Sequence, residues 1–273
     1  MADRYPLAGK VAIVTGAGRL RGIGRATAVA LADMGADVAV TGTGRDPSRF
    51  PEDEKVAGWR DIESTAAQVR QLGRRCLPIL ADVSASVDVD RAVSAVLSEF
   101  GRVDILVNNA ALARGADRVA ITELSEELWR KVLDVKLTGS FLMSKAVLPS
   151  MIAAGVGGSI VNISSIAGKR GSAKTAAYCA ANFGIQGFTQ ALAMELAPHN
   201  IRVNAVCPGL IGTSRMDELA RSPEWETKIR QTIPLGRAGT DAEVARLIAW
   251  ICSPDASYMT GQSINFDGGV VMW

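Results

Sequence analysis

The chain has 273 residues, 48% of them apolar, and its 30 Lys and Arg against 28 Asp and Glu leave a formal charge of +2. That length fits one large α/β domain with a full core, and the balanced charge, without a long Lys/Arg block, argues against a nucleic-acid partner. The opening Met1-Ala2-Asp3-Arg4-Tyr5-Pro6 lacks an apolar signal region and no apolar run looks long enough to cross a bilayer, so no membrane partner is expected. Cys76, Cys179, Cys207 and Cys252 are widely spaced and there is one histidine, His199; reduced thiols in a cytoplasmic setting and no metal site are expected.

Lys10-Val11-Ala12-Ile13-Val14-Thr15 reads as a buried strand and runs into Gly16-Ala17-Gly18-Arg19-Leu20-Arg21-Gly22-Ile23-Gly24. A helical pattern over 25–34 follows and stops at Gly35. Glycines between a first strand and a first helix let the backbone approach a pyrophosphate whose charge sits on the helix N-terminus. The second strand, 36–41, ends Thr41-Gly42-Thr43-Gly44-Arg45 with no acid at its tip. An acid there would accept from the ribose 2′-hydroxyl of NAD and repel a 2′-phosphate, which guanidinium forks bind well. With Arg21 before Gly22 and Arg45 beyond the strand, NADP(H) is expected rather than NAD(H); the other reading of Arg45 is a solvated loop residue.

Residues 46–60 are polar, contain Pro47 and Pro51, and read as an insertion beside the adenosine end: a flap over the 2′-phosphate or a plain surface loop. Helices over 62–72 and 87–100 flank a third strand, 76–81, which ends in Asp82-Val83. The fourth strand, 103–107, ends in Asn108-Asn109-Ala110-Ala111. A helix from Ser125 toward Leu148 carries Val132, Val135, Phe141 and Leu142 on a largely inward-facing pattern that Lys136 interrupts. Ile160-Val161-Asn162-Ile163-Ser164-Ser165 reads as a buried strand delivering Ser165 at its carboxyl end, and the Ala-rich run from Thr175 as a helix carrying Tyr178 and continuing through Phe183, Ile185, Phe188, Leu192 and Leu196. Ligands of open parallel sheets bind outside the carboxyl ends of the strands, where this serine and tyrosine would face one substrate atom. A sixth strand, 201–206, leads into Cys207-Pro208-Gly209-Leu210-Ile211-Gly212-Thr213. A polar lid over 210–235, a helix over 242–252 and a seventh strand, 263–266, complete the chain.

The Gly16–Gly24 turn, Asn108-Asn109-Ala110, the Ser165 and Tyr178 pair and Pro208-Gly209-x-x-x-Thr213 resemble the short-chain dehydrogenase/reductase family, its 3-oxoacyl reductases among them, over essentially the whole chain. The family's Thr-Gly-x-x-x-Gly-x-Gly is two residues longer here, within Arg19-Leu20-Arg21. The resemblance implies a single Rossmann-type, doubly wound α/β domain over 1–273, a seven-stranded mainly parallel sheet with helices on both faces. It places Asp82 and Val83 at the adenine, Asn109 and Ala110 at the cofactor ribose, and Pro208, Gly209, Ile211 and Thr213 at the nicotinamide; Gly16, Arg19, Arg21, Gly22, Ile23, Thr41 and Arg45 complete the expected cofactor set. It further implies a homotetramer or homodimer that interconverts a small-molecule secondary alcohol and a ketone, or an aldehyde, by hydride transfer.

In the family the catalytic set is serine, tyrosine, a lysine four residues after the tyrosine, and an asparagine on the neighbouring helix. Here the position four after the tyrosine is Asn182 and the asparagine position is Lys136. A free phenol titrates near 10, a cation within ~4–6 Å favours its ionised form, and an amide offers no charge. Both departures together suggest an exchange: Lys136 as the cation, Asn182 as the amide, Ser165 as hydrogen-bond donor and Tyr178 as acid and base. The competing readings are a solvent-facing Lys136 in a catalytically degenerate NADP(H)-binding sensor or scaffold, and a changed reaction such as imine or enone reduction. Arg114, Arg118, Lys169, Arg170, Lys174 and Arg215 either rim the pocket for an anionic substrate or are solvated.

Overall fold

The computed structural model describes residues 5–217, 222 and 224–273, so 218–221 and 223 of the expected lid lie outside the described residues. Strands β1 (Val11–Val14), β2 (Asp37–Gly42), β3 (Cys76–Leu80), β4 (Ile105–Asn108), β5 (Gly158–Ile163), β6 (Ile201–Pro208) and β7 (Ser263–Phe266) form one sheet in the order β3-β2-β1-β4-β5-β6-β7. Every neighbouring pair is parallel. The order reverses between β1 and β4, which makes the crevice outside their carboxyl ends the natural ligand position.

Period-two alternation sorts the strands between two cores. Ala12, Val14, Val38, Val40, Ile105, Val107 and Val161 face one side, where α1 (Ile23–Asp33), α3 (Asp61–Gln71) and α9 (Asp241–Cys252) pack. Val11, Ile13, Ala39, Leu106, Ile160 and Val203 face the other, against α4 (Ser86–Phe100), α6 (Gly139–Ala154) and α7 (Ala176–Leu196). Each such buried Val, Leu or Ile contributes about 1.5–3 kcal/mol, and a substitution that put a charge at Ile13 or Leu106 would break the layer it lies in.

Two apolar expectations are corrected. Phe141 and Phe183 are 45% and 47% exposed although their spacing suggested burial. The helix from Glu126 to Ala154 is continuous over 29 residues and, with a mean hydropathy of 1.3 over an 18-residue stretch of it, is long and apolar enough to cross a bilayer by length and composition alone, which the sequence reading had not found. Here it buries Met143, Val147 and Met151 against the sheet and carries Lys136.

That helix consists of α5 (Glu126–Leu133), a π-helical turn (Asp134–Thr138) and α6. A buried polar ladder holds the turn. Asn162 Nδ2 donates to Thr189 Oγ1 at 2.9 Å, Asn108 Nδ2 donates to Asn162 Oδ1 at 2.9 Å and to Ser144 Oγ at 3.2 Å. Ser144 Oγ donates to the Ser140 carbonyl, and Ser140 Oγ to the carbonyl of Lys136, each at 2.7 Å. Because buried polar groups must be hydrogen-bonded, this chain of partners fixes α7, β5, β4 and the π turn relative to one another.

Candidate functional site

The crevice is built by two turns locked together. Thr15 Oγ1 accepts from the backbone N–H of Asn109 and of Ala110, both at 3.0 Å, and Asn109 Nδ2 donates to the carbonyls of Thr15 and Gly16. Gly16 sits at φ +67, and a Cβ on it would lie 2.8 Å from Ala110 Cα. At the N-terminus of α1 the N-cap Gly22 offers no side-chain cap of its own, and its N–H donates to Asp241 Oδ2 at 3.1 Å. A backbone approach open only to glycine, leading to a helix N-terminus, fits a dinucleotide pyrophosphate.

At the adenosine end the expected phosphate-binding arginines are already engaged. Arg21 donates to Asp53 at 2.6 Å and to Asp217 at 2.5 Å. Arg45 donates to Glu54 Oε2 and to the Gly18 carbonyl, both at 2.7 Å, and stacks over Phe50. Arg19 approaches Glu54 at 4.0 Å, and burial followed by repulsion from Arg45 lowers its pKa. Thr41 is buried with its hydroxyl unpartnered. The carboxylates come mainly from residues 46–60, which are no loose surface loop: they fold back through a short α2 (Glu52–Val56) and seat Phe50, Glu54 and Trp59 in the interior. Trp59 Nε1 donates to the Gly18 carbonyl at 2.7 Å, and Glu54 Oε1 accepts from the Leu20 N–H at 3.0 Å. Desolvation pushes the Asp53 carboxyl up, but its hydrogen bond with Arg21, the charge of that guanidinium and nearby backbone N–H groups together outweigh this and leave it below the usual range.

Along the rest of the crevice Asp82 is exposed and accepts from the Ser84 N–H and hydroxyl, while Val83 is buried against Gly139. Pro208 ends β6; a Cβ on Gly209 would lie 2.6 Å from Asp267 Cβ. Ile211 pairs with Gly239 in an isolated bridge, and the Thr213 N–H donates to the Ile211 carbonyl at 2.7 Å. A cavity of about 240 Å³ lies beside Leu210, Ile211, Leu235 and Phe266, away from the tyrosine. A narrower crevice lined by Thr15, Asn108, Ala110, Val135 and Ser140 marks the sheet's switch point. The switch point, not the larger cavity, holds the chemistry-bearing residues.

Ser165 follows β5 and Tyr178 lies near the start of α7; Ser164 Oγ joins them by donating to the Asn182 carbonyl at 3.0 Å. Ser165 Oγ accepts from the Ala167 N–H at 3.1 Å, so its own proton remains free to donate. Asn182 is wholly buried and turned into its own helix: Nδ2 donates to the Tyr178 carbonyl at 2.8 Å, and Oδ1 has no partner. Lys136, 4% exposed on the π turn, does not face solvent, and its Nζ makes no hydrogen bond or ion pair with the described residues. Burial first, then Arg215, pushes its pKa down to about 7, against a small opposing effect of Cys207. π turns in α-helices are frequent at functional sites.

Two of the six loop cations reach the tyrosine. Arg118 lies 4.0 Å and Arg215 5.3 Å from the Tyr178 ring centroid. Burial lowers the Arg118 pKa, partly offset by Asp117 at 3.2 Å. Lys169 instead donates to the Ser263 carbonyl, and Arg170 and Lys174 are exposed. Sequence reasoning missed Glu54, Trp59 and Asp61, whose partners are far along the chain; a tryptophan and acids clustered within one polar insertion were the available signal.

A parallel sheet wound both ways from a glycine-rich crevice defines a dinucleotide-binding α/β protein of Rossmann type. The family model for Enoyl-(Acyl carrier protein) reductase matches residues 16–271. The Short chain dehydrogenase/reductase astE of Aspergillus oryzae is 43% identical, with 98% of this chain and 97% of that protein covered. Among solved structures, a short-chain type dehydrogenase/reductase from Mycobacterium marinum superposes with a TM-score of 0.84 at 33% identity over 99% of both chains. Carveol dehydrogenase from Mycobacterium avium in complex with NAD gives 0.84 at 32% identity, covering 97% of this chain and 98% of that one. The chain belongs to the short-chain dehydrogenase/reductase family of oxidoreductases.

Proposed function

We propose that the protein interconverts a secondary alcohol and a ketone, or an aldehyde, with Tyr178 as the acid and base. A nicotinamide dinucleotide supplies or accepts the hydride when bound. Gly16, Gly22 and Ile23 would hold its pyrophosphate, Asn109 and Ala110 its ribose, Asp82 and Val83 its adenine, and Pro208, Gly209, Ile211 and Thr213 its carboxamide. The NADP(H) expectation needs free guanidinium forks at Arg21 and Arg45, and both are held on carboxylates.

The observation that carries the reading is the buried Lys136, its Nζ unpaired among the described residues, on a π turn beside Arg215, which itself lies over the Tyr178 ring. The Ser165 hydroxyl donates to the substrate oxygen as charge develops there. Tyr178 delivers its phenolic proton to that oxygen and recovers one in the reverse direction. Lys136 Nζ, poised near neutrality, holds or releases the compensating proton, and the unpartnered Asn182 Oδ1 offers a buried acceptor for the exchanged amide role. Arg118 and Arg215 favour a substrate that carries an anionic group beside its carbonyl. Free cysteines suit a cytoplasmic setting, and the exposed Phe141 and Phe183 suit a homodimer or homotetramer paired through α6 and α7.

Oxidation of the reduced cofactor is the test, followed at its absorbance with a panel of diketones, keto acids and keto esters. Tyr178→Phe should lower turnover about 10²–10⁴-fold while cofactor binding is kept. Binding without turnover on every carbonyl would instead favour the sensor or scaffold reading.

A further inference from the structure

β2 ends without an acid, yet a carboxylate occupies the place one would fill. Resting on the oxidoreductase reading above, we propose that Asp61, at the start of α3, accepts the adenosine ribose 2′-hydroxyl and makes this chain select NAD(H) over NADP(H).

The geometry at the strand tip carries the argument. Gly42 closes β2, and a Cβ built on it would lie 3.7 Å from Asp61 Oδ1. The same oxygen presses on the glycine-rich turn, where a Cβ on Gly18 would overlap it. Asp61 therefore reaches the space between strand tip and glycine turn from across the insertion, and both neighbours are glycines that leave room for it. Its carboxylate is only half satisfied. Oδ2 accepts from the Arg45 N–H at 2.9 Å, whereas Oδ1 is buried without a partner, in a residue that is 8% exposed. Asp61 also holds φ +51, a left-handed conformation uncommon outside glycine and tolerated by Asp and Asn. A buried acceptor left open, on a backbone held in a disfavoured region, is a mark of a binding position rather than of packing.

The surrounding charge selects between the two cofactors. Arg19, Arg21 and Arg45 face the four carboxylates of Asp53, Glu54, Asp61 and Asp217. A ribose hydroxyl brings the donor that Asp61 Oδ1 lacks. A phosphate ester brings about two negative charges and no donor at neutral pH, into a cluster whose guanidiniums are already committed. The insertion thus does opposite work to a phosphate flap: Glu54 and Asp53 neutralise the arginines, and Asp61 supplies the acid.

Calorimetric titration of the cofactor-free protein with NADH and, separately, NADPH tests this without relying on turnover. The wild type should bind NADH roughly tenfold or more tightly than NADPH, the worth of one charge-assisted hydrogen bond. Asp61→Asn, which keeps the left-handed backbone accessible, should lose about that factor for NADH and leave NADPH unchanged or tighter. Glu54→Gln, which releases Arg45, should tighten NADPH alone. Equal or tighter NADPH binding by the wild type overturns the proposal but leaves the oxidoreductase reading standing. An Asp61→Asn protein that weakens both cofactors alike also overturns it, assigning Asp61 a merely structural part. Should that variant not fold, the wild-type comparison and Glu54→Gln decide. Failure to bind either dinucleotide would remove the oxidoreductase reading as well.

Discussion

Lys136→Met should stabilise the cofactor-free protein, and by an amount that depends on pH. Lys136 is 4% exposed, and among the described residues its Nζ has no ion pair or hydrogen bond to offset its desolvation. Burial, then Arg215, takes it from 10.5 to about 7. At about 1.4 kcal/mol per pH unit, that interval corresponds to roughly 5 kcal/mol by which burial and Arg215 together disfavour the ammonium. Below pH 7 the lysine is protonated in both folded and unfolded chains, so the penalty is felt in full. Between pH 7 and 10.5 the folded protein has released the proton while the unfolded chain keeps it, so wild-type stability rises with pH and the penalty fades. Urea denaturation of both proteins at one fixed concentration, at about pH 6.5 and about pH 9.5, should show the advantage of Lys136→Met shrinking by roughly 3 kcal/mol. A stability difference that is the same at both pH values, or a wild type more stable at the lower one, would refute the reasoning. The same variant should turn over about 10²-fold or more slowly if the lysine supports the tyrosine's proton transfer. An unchanged rate and pH profile would end the exchange hypothesis.

Gly18→Ala would drive a methyl group into Asp61 Oδ1; the expected result is roughly tenfold or greater loss of NADH affinity by calorimetry, with a lowered Tm. Asn162→Leu removes the middle of the buried ladder and leaves Asn108 and Thr189 short of a partner. It should cost about 1–3 kcal/mol in denaturant unfolding. Arg118→Ala removes the guanidinium over the Tyr178 ring. Turnover should fall roughly tenfold, from a contact worth about 1–2 kcal/mol, with little change in Tm.

The layers of this fold were legible because alternation along strands and three- or four-residue spacing along helices report burial directly. All seven strands, and the glycine turn between β1 and α1, could be read that way. Phe141 and Phe183 show the limit: spacing names a face but not what covers it, and theirs is open. At the adenosine end Arg21 was judged without Asp217, a partner 196 residues away, and no local pattern announces such a pair. Asp61 was missed for a related reason, since its position depends on the return path of an insertion rather than on periodicity. Lys136 was found only because it broke a pattern; its π turn left no separate trace. Asn182 was picked out by position, yet its amide nitrogen is tied to its own helix by a bond spacing cannot foretell.

Arg21 has one wider consequence. Its guanidinium holds Asp53 of the insertion with one nitrogen and Asp217 with another, while its carbonyl accepts from the Ser214 N–H and hydroxyl. Two walls that are remote in the chain therefore share a single rivet, and neither can swing outward without loosening the other.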